Sequence, residues 1–447
     1  MNLKRTLVES LPPGVKRLLA VPYDGYQTLT ANRQFARKQL PEYHRDDDAP
    51  RHIVCVVVDA LRTDHVDEEH TPYLASLNGC NAVTPGAWTF PAVSSMVSGA
   101  YPHEHGAMRQ TDDPEEIAGF SLPPRMDEDR ETVTEALAGA GYETYGGFGH
   151  DTPFVALSGR FHEHDLFHNV TATAEDVFDA HLDWVAGRDR TFSFLHLADP
   201  HIPVDPPEEY WAAHDVDRSI DGLENWAYRT DVDCVGACER YREHRRRLYR
   251  AAVDYVDDAL AEYAAALDST LADSLLFVTA DHGEALWDHV EVDTDRFDGD
   301  GCVGHGGAPY EGLARVPLLT DADWQLPDRA PLVDLAPTFA DIAGIDWSPP
   351  SGRSLRSDEP RDGMVLVEGT LDGHERKALY DGEHKLIVSN GDDVELGYRL
   401  PGEEQIPIPP ERREAMLEEL PAWPDGQRVG TEVSDVVADR LEQLGYK

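Results

Sequence analysis

Apolar runs of strand length alternate with helical patterns from His52 onward, and this alternation constrains the fold more than any other feature. Strands are predicted at 53–58, 142–148, 192–197 and 275–279, and helices at 72–77, 174–185, 239–267 and 332–343. Strands that are almost continuously apolar are buried on both faces, as in a parallel sheet covered by helices. The sequence therefore predicts an α/β fold with a mainly parallel central sheet and helices on both faces.

The pattern changes after the Pro- and Ser-rich stretch 347–355. Short strands follow, including 364–367, and the segment 377–388 reads as a hairpin that turns at Asp381-Gly382. Three parts are expected: an N-terminal extension at 1–50, a main α/β domain at 51–355, and a small C-terminal α+β subdomain with its tail at 356–447.

The charge of the chain limits its partners. The 85 acidic residues against 39 basic ones give a net charge of -46, which would repel nucleic acid and anionic membranes. An anionic substrate must therefore meet a local positive site. Acidic residues are spread along the chain and only six basic residues are lysine, which favours a halophilic protein whose charges are screened by salt. A cationic partner is the alternative, and it would favour a concentrated acidic patch.

Two further features bear on the compartment. No segment approaches the ~20 apolar residues of a membrane span, so a cytoplasmic protein without a membrane span is expected. The five cysteines are too few for a disulfide scaffold, and free thiols are expected at Cys234 and Cys238.

Polar clusters follow three of the predicted strands. Asp59 ends the first strand, Asp281 and His282 end the strand at 275–279, and 199–203 (Asp-Pro-His-Ile-Pro) follows the strand at 192–197. In an open α/β sheet, ligands bind beyond the carboxyl ends of the strands. Each residue alone could be a helix cap or a turn residue, but the three together predict one site, with Asp59, Asp281 and His282 as metal ligands.

Thr89 is the candidate nucleophile. Pro91 suits a first helical turn and Gly99 ends the short helix that follows, so Thr89 lies at a helix N-terminus, where free N–H groups favour an anion. An ordinary N-cap is the simpler interpretation. A threonine hydroxyl needs a neighbouring metal ion to act as a nucleophile, and the Asp59 cluster offers one.

These residues resemble the alkaline phosphatase superfamily, and most closely its sulfatase branch, over about 52–355. The resemblance is carried by D-A-L-R-T-D-H at 59–65, T-F-P-A-V-S-S at 89–95, D-P-H-I-P at 199–203, T-A-D-H-G-E at 279–284 and G-H-G-G-A-P-Y-E-G at 304–312. It implies that Asp59, Thr89, Asp281 and His282 bind a divalent metal ion, and that Thr89 forms a covalent intermediate. His201 and His305 match positions that contact the ester or protonate the leaving group, or ligate a second ion. A second ion stays open, because Asp199 is spaced differently from the usual Asp-x-x-x-His.

The sequence also departs from the sulfatase pattern. Sulfatases that use formylglycine carry Cys or Ser in C/S-x-P-x-R, whereas 89–93 reads T-F-P-A-V and is similar to the nucleophile segment of nucleotide pyrophosphatase/phosphodiesterases. His150 is one position away from the sulfatase Gly-Lys-Trp-His histidine and is interpreted as a loop residue. Ala60 replaces a second Asp of calcium-binding sulfatases, so Mn²⁺, Zn²⁺ or Mg²⁺ is as plausible as Ca²⁺.

The leading hypothesis is a metal-dependent, sulfatase-like hydrolase that cleaves a phosphate mono- or diester of a small molecule or glycan through Thr89. The alternatives are a sulfate-ester hydrolase without formylglycine, a phosphosugar mutase, or a non-catalytic protein that binds an anionic glycan. The leaving group and the oligomeric state are not specified by the sequence.

Overall fold

A computed structural model of the chain defines its architecture. The described residues are 13–112, 122–167, 172–226, 237–297, 303–327, 329–357, 361, 363–371, 373–426, 430–431, 433, 437–438 and 440–441.

The strands alternate with helices over most of the chain. In order they are β1 His52–Val58, β2 Asn78–Val83, β3 Glu143–Phe148, β4 Glu163–Leu166, β5 Thr191–Leu197, β6 Ser274–Thr279, β7 Ala285–Leu286, β8 Val303–Gly304, β9 Arg315–Thr320, β10 Arg329–Pro331, β11 Val365–Val367, β12 Arg376–Tyr380, β13 His384–Ser389, β14 Val394–Arg399 and β15 Glu404–Gln405. The α-helices are α1 Pro13–Phe35, α2 Pro72–Ser76, α3 Thr89–Ser98, α4 Pro102–His105, α5 Val133–Gly139, α6 Asp151–Leu157, α7 Ala174–Val185, α8 Glu208–Ala213, α9 Ala237–Thr270, α10 Val290–Arg296, α11 Glu311–Ala314, α12 Leu335–Ile342 and α13 Pro410–Glu418. Short 3₁₀ turns occur at Thr63–His65 and Leu332–Asp334.

An eight-stranded sheet forms the centre of the molecule, in the order β10-β2-β9-β6-β1-β5-β3-β4. Its neighbouring strands are parallel except at β9, which runs antiparallel to both β2 and β6. Every residue of β1 and β5 is buried, as the apolar runs predicted. The mainly parallel sheet with covering helices is therefore confirmed.

One predicted helix differs from the structure. The stretch 332–343 divides into a 3₁₀ turn at Leu332–Asp334 and the helix α12. Pro337 lies in the first turn of α12, where its missing N–H costs no intrahelical hydrogen bond. The proline therefore sets where the regular helix begins.

A separate antiparallel sheet, β11-β12-β13-β14-β15, follows the central one. The predicted hairpin is confirmed: β12 pairs with β13, with Tyr380 opposite Lys385. Gly382 has φ 106° in the turn, a conformation that favours glycine. This sheet packs against the main domain through Val83 and Ala308, which share a hydrophobic cluster with Ala378.

The N-terminal residues contribute a helix to the main domain. Ala31 and Phe35 of α1 are buried, and Asn32 Oδ1 accepts a hydrogen bond from the backbone N–H of His164 in β4, at 2.9 Å. In the described part of the chain, no helix has the length and apolar character that a membrane crossing needs.

The cysteine prediction is wrong for one residue. Cys238 is disulfide-bonded, and its partner and Cys234 lie outside the described residues. Cys55 and Cys80 are free thiols.

Candidate active site at the carboxyl edge of the sheet

The pairing of β1 with β6 brings two predicted carboxylates together. The strands are parallel with Val57 opposite Thr279, so Asp59 and Asp281 each lie two residues beyond a paired position. Ala60 directs its backbone N–H toward Asp281 Oδ1 at 3.4 Å, and it does so with φ 61°. A non-glycine residue in this left-handed region carries backbone strain, which is concentrated at functional sites.

Thr89 is the first residue of α3 and is completely buried. Its Oγ1 lies 3.2 Å from His282 Nε2 and 3.4 Å from Asp59 Oδ2. The predicted nucleophile therefore lies beside the predicted metal ligands, at the positive end of a helix dipole.

The loop before α3 packs tightly enough to hold this geometry. Thr84 Oγ1 donates a hydrogen bond to the backbone carbonyl of Asp281, which ties the loop to the end of β6. A Cβ at Gly86 would come within 2.7 Å of the backbone nitrogen of Ala92, in the first turns of α3. Glycine is thus required for this close approach.

Asp59, Asp281 and His282 form a group that could hold a metal ion. Their donor atoms lie within 4.8 Å of one another, and all three side chains are buried. Asp59 Oδ1 accepts no hydrogen bond from any described residue, although it is buried. Two carboxylates and an imidazole suit a divalent cation, and a buried oxygen without a donor is what such an ion would satisfy.

The electrostatics of this group are those of a negatively charged cavity. Burial acts to lower the pKa of His282, but Asp281 and Asp59 outweigh it and raise that pKa above its usual value. Burial acts to raise the pKa of Asp281, yet His282 and a hydrogen bond from His196 hold it well below its usual range. A cation is therefore favoured at this position.

His150, which the sequence predicts to be a loop residue more than a ligand, lies in the loop before α6 and contacts the site. It is the N-cap of α6 and is fully buried, with Nε2 2.7 Å from Asp59 Oδ2. Burial holds its pKa well below the usual value, so the ring is neutral. Since Nδ1 accepts a hydrogen bond from the Thr152 N–H, the ring proton is on Nε2, and Nε2 donates a hydrogen bond to Asp59. His150 thus orients the carboxylate of Asp59.

His196 is a site residue that the sequence analysis missed. It is buried in β5, with Nε2 3.2 Å from Asp281 Oδ2 and 3.8 Å from Asp59 Oδ2. Asp59, His150 and His196 form a second group of possible metal donors, which shares Asp59 with the first. The signal was a histidine inside an otherwise apolar strand, where the alternation of residues favours core packing.

His201 and His305 lie side by side next to the metal-binding group. Their ring centroids are 4.8 Å apart, and the His305 ring is 4.4 Å from that of His282. His305 Nδ1 lies 3.3 Å from Glu284 Oε1, and burial raises the pKa of Glu284 to about 7. Burial also lowers the pKa of His201 to about 4.

Asp199 has a different role from these histidines. Its Oδ1 accepts the backbone N–H of Ala174 at 3.2 Å, at the first residue of α7. Among the described residues it belongs to neither of the two groups of possible metal donors. The polar segment 199–203 therefore contributes His201 to the site, whereas its Asp199 caps helix α7.

Comparisons with known proteins bear on the family and the fold of the chain. The family model for sulfatases matches residues 51–345, more than half of the chain. No curated protein matches the chain. One similar solved structure is a phosphonate monoester hydrolase from Silicibacter pomeroyi (18% identity, covering 82% of this chain and 93% of that one, TM-score 0.60).

A second is a 2-O GAG sulfatase, with 15% identity, a TM-score of 0.60, and 83% of this chain and 90% of that one covered. A third is an alkaline phosphatase superfamily protein from Vibrio parahaemolyticus, with 16% identity, a TM-score of 0.52, and 94% of each chain covered. At these identities the likeness concerns the fold.

Proposed function

This chain belongs to the sulfatase family and is an ester hydrolase of the alkaline phosphatase superfamily, and from that premise we propose that it hydrolyses a phosphate mono- or diester through a covalent Thr89 intermediate. The observation that carries the proposal is the Thr89 hydroxyl, which lies 3.2 Å from His282 and 3.4 Å from Asp59 at the start of a helix. A helix cap at this buried position would not require two metal-type ligands beside its hydroxyl.

The residue type at position 89 favours phosphate over sulfate. A formylglycine hydrate can expel sulfate by collapsing to an aldehyde, and threonine cannot follow that route. An alkoxide at Thr89 can instead attack phosphorus directly and leave again when water attacks. The nucleophile thus supports phosphoryl transfer.

The chemistry of the donors fits a divalent metal ion held by Asp59, Asp281 and His282, with Thr89 beside them. When bound, such an ion would lower the pKa of the threonine hydroxyl and stabilise negative charge on the reacting oxygens. His150 orients Asp59 and His196 contacts Asp281, so each carboxylate is supported by a histidine.

The chain's own residues then divide the reaction into two displacements. Thr89 Oγ1, having lost its proton to solvent, bonds to phosphorus as the bond to the departing oxygen breaks. The N-terminus of α3 supplies backbone N–H groups to the phosphoryl oxygens. Water then attacks the phosphothreonine, the bond from Oγ1 to phosphorus breaks, and phosphate is released.

We assign the proton transfers to His305 and its neighbours. His305 is hydrogen-bonded to Glu284, and its ring lies against the rings of His201 and His282. It would give a proton to the departing oxygen in the first step and accept one from water in the second. His201 contacts both His305 and His150 through its ring and completes this wall.

The test is turnover of matched aryl phosphate, aryl phosphodiester and aryl sulfate esters in high salt, with Mn²⁺, Mg²⁺, Ca²⁺ or Zn²⁺ added singly. The wild type should turn over a phosphate ester only with metal. Thr89→Ala should lose at least ~10³-fold in kcat, whereas Thr89→Ser, which keeps a hydroxyl, should retain part of it.

Ser94→Ala is the matched control, because it removes a buried hydroxyl from the same helix that only donates to the Phe90 carbonyl at 2.8 Å. It should leave turnover near the wild-type rate. Sulfate turnover that survives Thr89→Ala would refute the proposal and support the sulfate-ester alternative. No turnover of any ester with any metal would instead favour a binding protein.

A further inference from the structure

One arginine on the long helix α9 is buried and has no hydrogen-bond acceptor in the part of the chain that the structure describes. Arg245 is completely buried, and none of its three guanidinium nitrogens has a hydrogen-bond acceptor among the described residues. Neighbouring arginines on the same helix are paired: Arg246 donates to the Leu286 carbonyl at 2.7 Å and Arg247 to Glu243 at 2.6 Å. Since a buried, unpaired charge is costly, Arg245 is the residue on this helix that needs an explanation.

The face of α9 that carries Arg245 borders the active site. Tyr249, one helical turn further along, donates its hydroxyl to the Ala60 carbonyl at 2.6 Å and accepts the Arg62 N–H at 3.0 Å. Residues four apart on a helix lie on the same face. Arg245 therefore lies one turn from a contact with the segment that directly follows Asp59.

The surroundings of Arg245 connect it to the wall formed by His201 and His305. Its guanidinium lies 4.2 Å from the centre of the Trp226 ring, and Trp226 contacts Trp287 edge-on at 5.6 Å. Trp287 belongs to a hydrophobic cluster with Ile202 and Val303, which are close in sequence to His201 and His305. Arg245 is thus linked through packed side chains to the segments that carry His201 and His305.

Arg245 lies over the Trp226 ring, and its N–H groups have no acceptor among the described residues. A ring that covers the flat face of an arginine leaves the N–H groups on its edge available for a carboxylate, phosphate or sulfate. Trp226 is only half-buried, so solvent lies close to this pair. In a chain of net charge -46, a buried arginine without a hydrogen-bond acceptor among the described residues is a local positive group of the kind that an anionic substrate requires.

We propose that Arg245, held by Trp226, binds a second negatively charged group on the leaving group of the ester, so that the substrate is a dianionic or polyanionic molecule such as an acidic sugar ester. This inference rests on the proposed function, because it names the substrate class of the same site. Burial acts to lower the pKa of Arg245 while Glu284 opposes this, so a charged group of the site already acts on this side chain.

The experiment compares phenyl phosphate with 4-carboxyphenyl phosphate at constant salt. The wild type should prefer the carboxylated ester by at least ~10-fold in kcat/KM, the effect of about one hydrogen bond between charged groups. Arg245→Gln should reduce this ratio to near unity. Arg247→Gln is the matched control, since it removes an exposed arginine from the same helix, and it should keep the wild-type ratio.

A binding measurement separates this inference from the proposed function and does not depend on a folded variant. Calorimetry on wild-type protein should show 4-hydroxybenzoate binding at least ~10-fold more tightly than phenol. Equal binding of the two compounds, or the same substrate ratio in a folded Arg245→Gln protein, would overturn the inference. If no ester is turned over, the proposed function fails, and the two binding constants still decide whether the anion site exists.

Discussion

Replacing His150 tests whether a histidine that is hydrogen-bonded to Asp59 prepares the metal site. In His150→Ala, Asp59 Oδ2 loses a hydrogen bond of 2.7 Å between two fully buried groups. A hydrogen bond to a charged group contributes about 1.5–3 kcal/mol, which corresponds to roughly 10- to 150-fold in an equilibrium constant. Residues that orient metal ligands typically change metal affinity by about 10- to 100-fold. We therefore expect metal binding to weaken by about 10- to 100-fold.

The assay is calorimetric titration of metal-stripped protein with Mn²⁺. His150→Gln should recover part of the affinity, because its side-chain amide can donate from nearly the position of Nε2. His181→Ala is the matched control: it also removes a buried histidine, but one that is bonded to Ser193 and Tyr263, each at 2.7 Å. A His150→Ala protein that binds metal within about threefold of wild type, or a His181→Ala protein that is weakened equally, would refute the reasoning.

Three further predictions follow from the charges of the molecule. Removing the metal with a chelator should abolish turnover and lower the melting temperature, since an ion present at 100 times its Kd stabilises the fold by about 2.7 kcal/mol; an unchanged melting curve would contradict the metal site. Lys377→Met should lower the free energy of unfolding in urea by about 1.5–3 kcal/mol, because it removes the 2.8 Å ion pair of the buried Glu368 carboxylate and leaves that carboxylate with His103. A loss below about 1 kcal/mol, as for exposed pairs, would show that the pair is not a buried one. Raising KCl from about 0.1 M to about 1 M should raise the melting temperature, because the Debye length falls from about 10 Å to about 3 Å and the repulsion within a chain of charge -46 is screened; a falling melting temperature would contradict a halophilic surface.

The meeting of Asp59 and Asp281 could be predicted because both residues directly follow strands of the central sheet. Asp59 and Asp281 end apolar runs that pair in parallel, and the sheet edge brings such ends together whatever the loops do. The place of Thr89 at a helix N-terminus could also be predicted from neighbouring residues, since a proline in the first turn and a glycine at the end define its short helix. These signals are contained in a few consecutive residues each.

His150 and His196 could not be placed in the same way, because their positions depend on contacts between distant segments. The pairing of β3 with β5 sets Phe148 opposite His196, which brings the residues after β3 to Asp59. The register between β3 and β5 cannot be predicted from the sequence, and the pattern around His196 predicts a core position. The burial of Arg245 could not be predicted for a related reason. Five arginines lie between 240 and 247, and only the fold shows which of them is buried.

The stereochemical course at phosphorus tests the account most directly. A phosphate ester made chiral at phosphorus with oxygen isotopes and sulfur would be hydrolysed by the metal-loaded wild type, and the configuration of the product determined. Two successive in-line displacements, through Thr89 and then water, predict net retention of configuration. Net inversion would mean that water attacks the ester directly, and Thr89 would then not be the nucleophile.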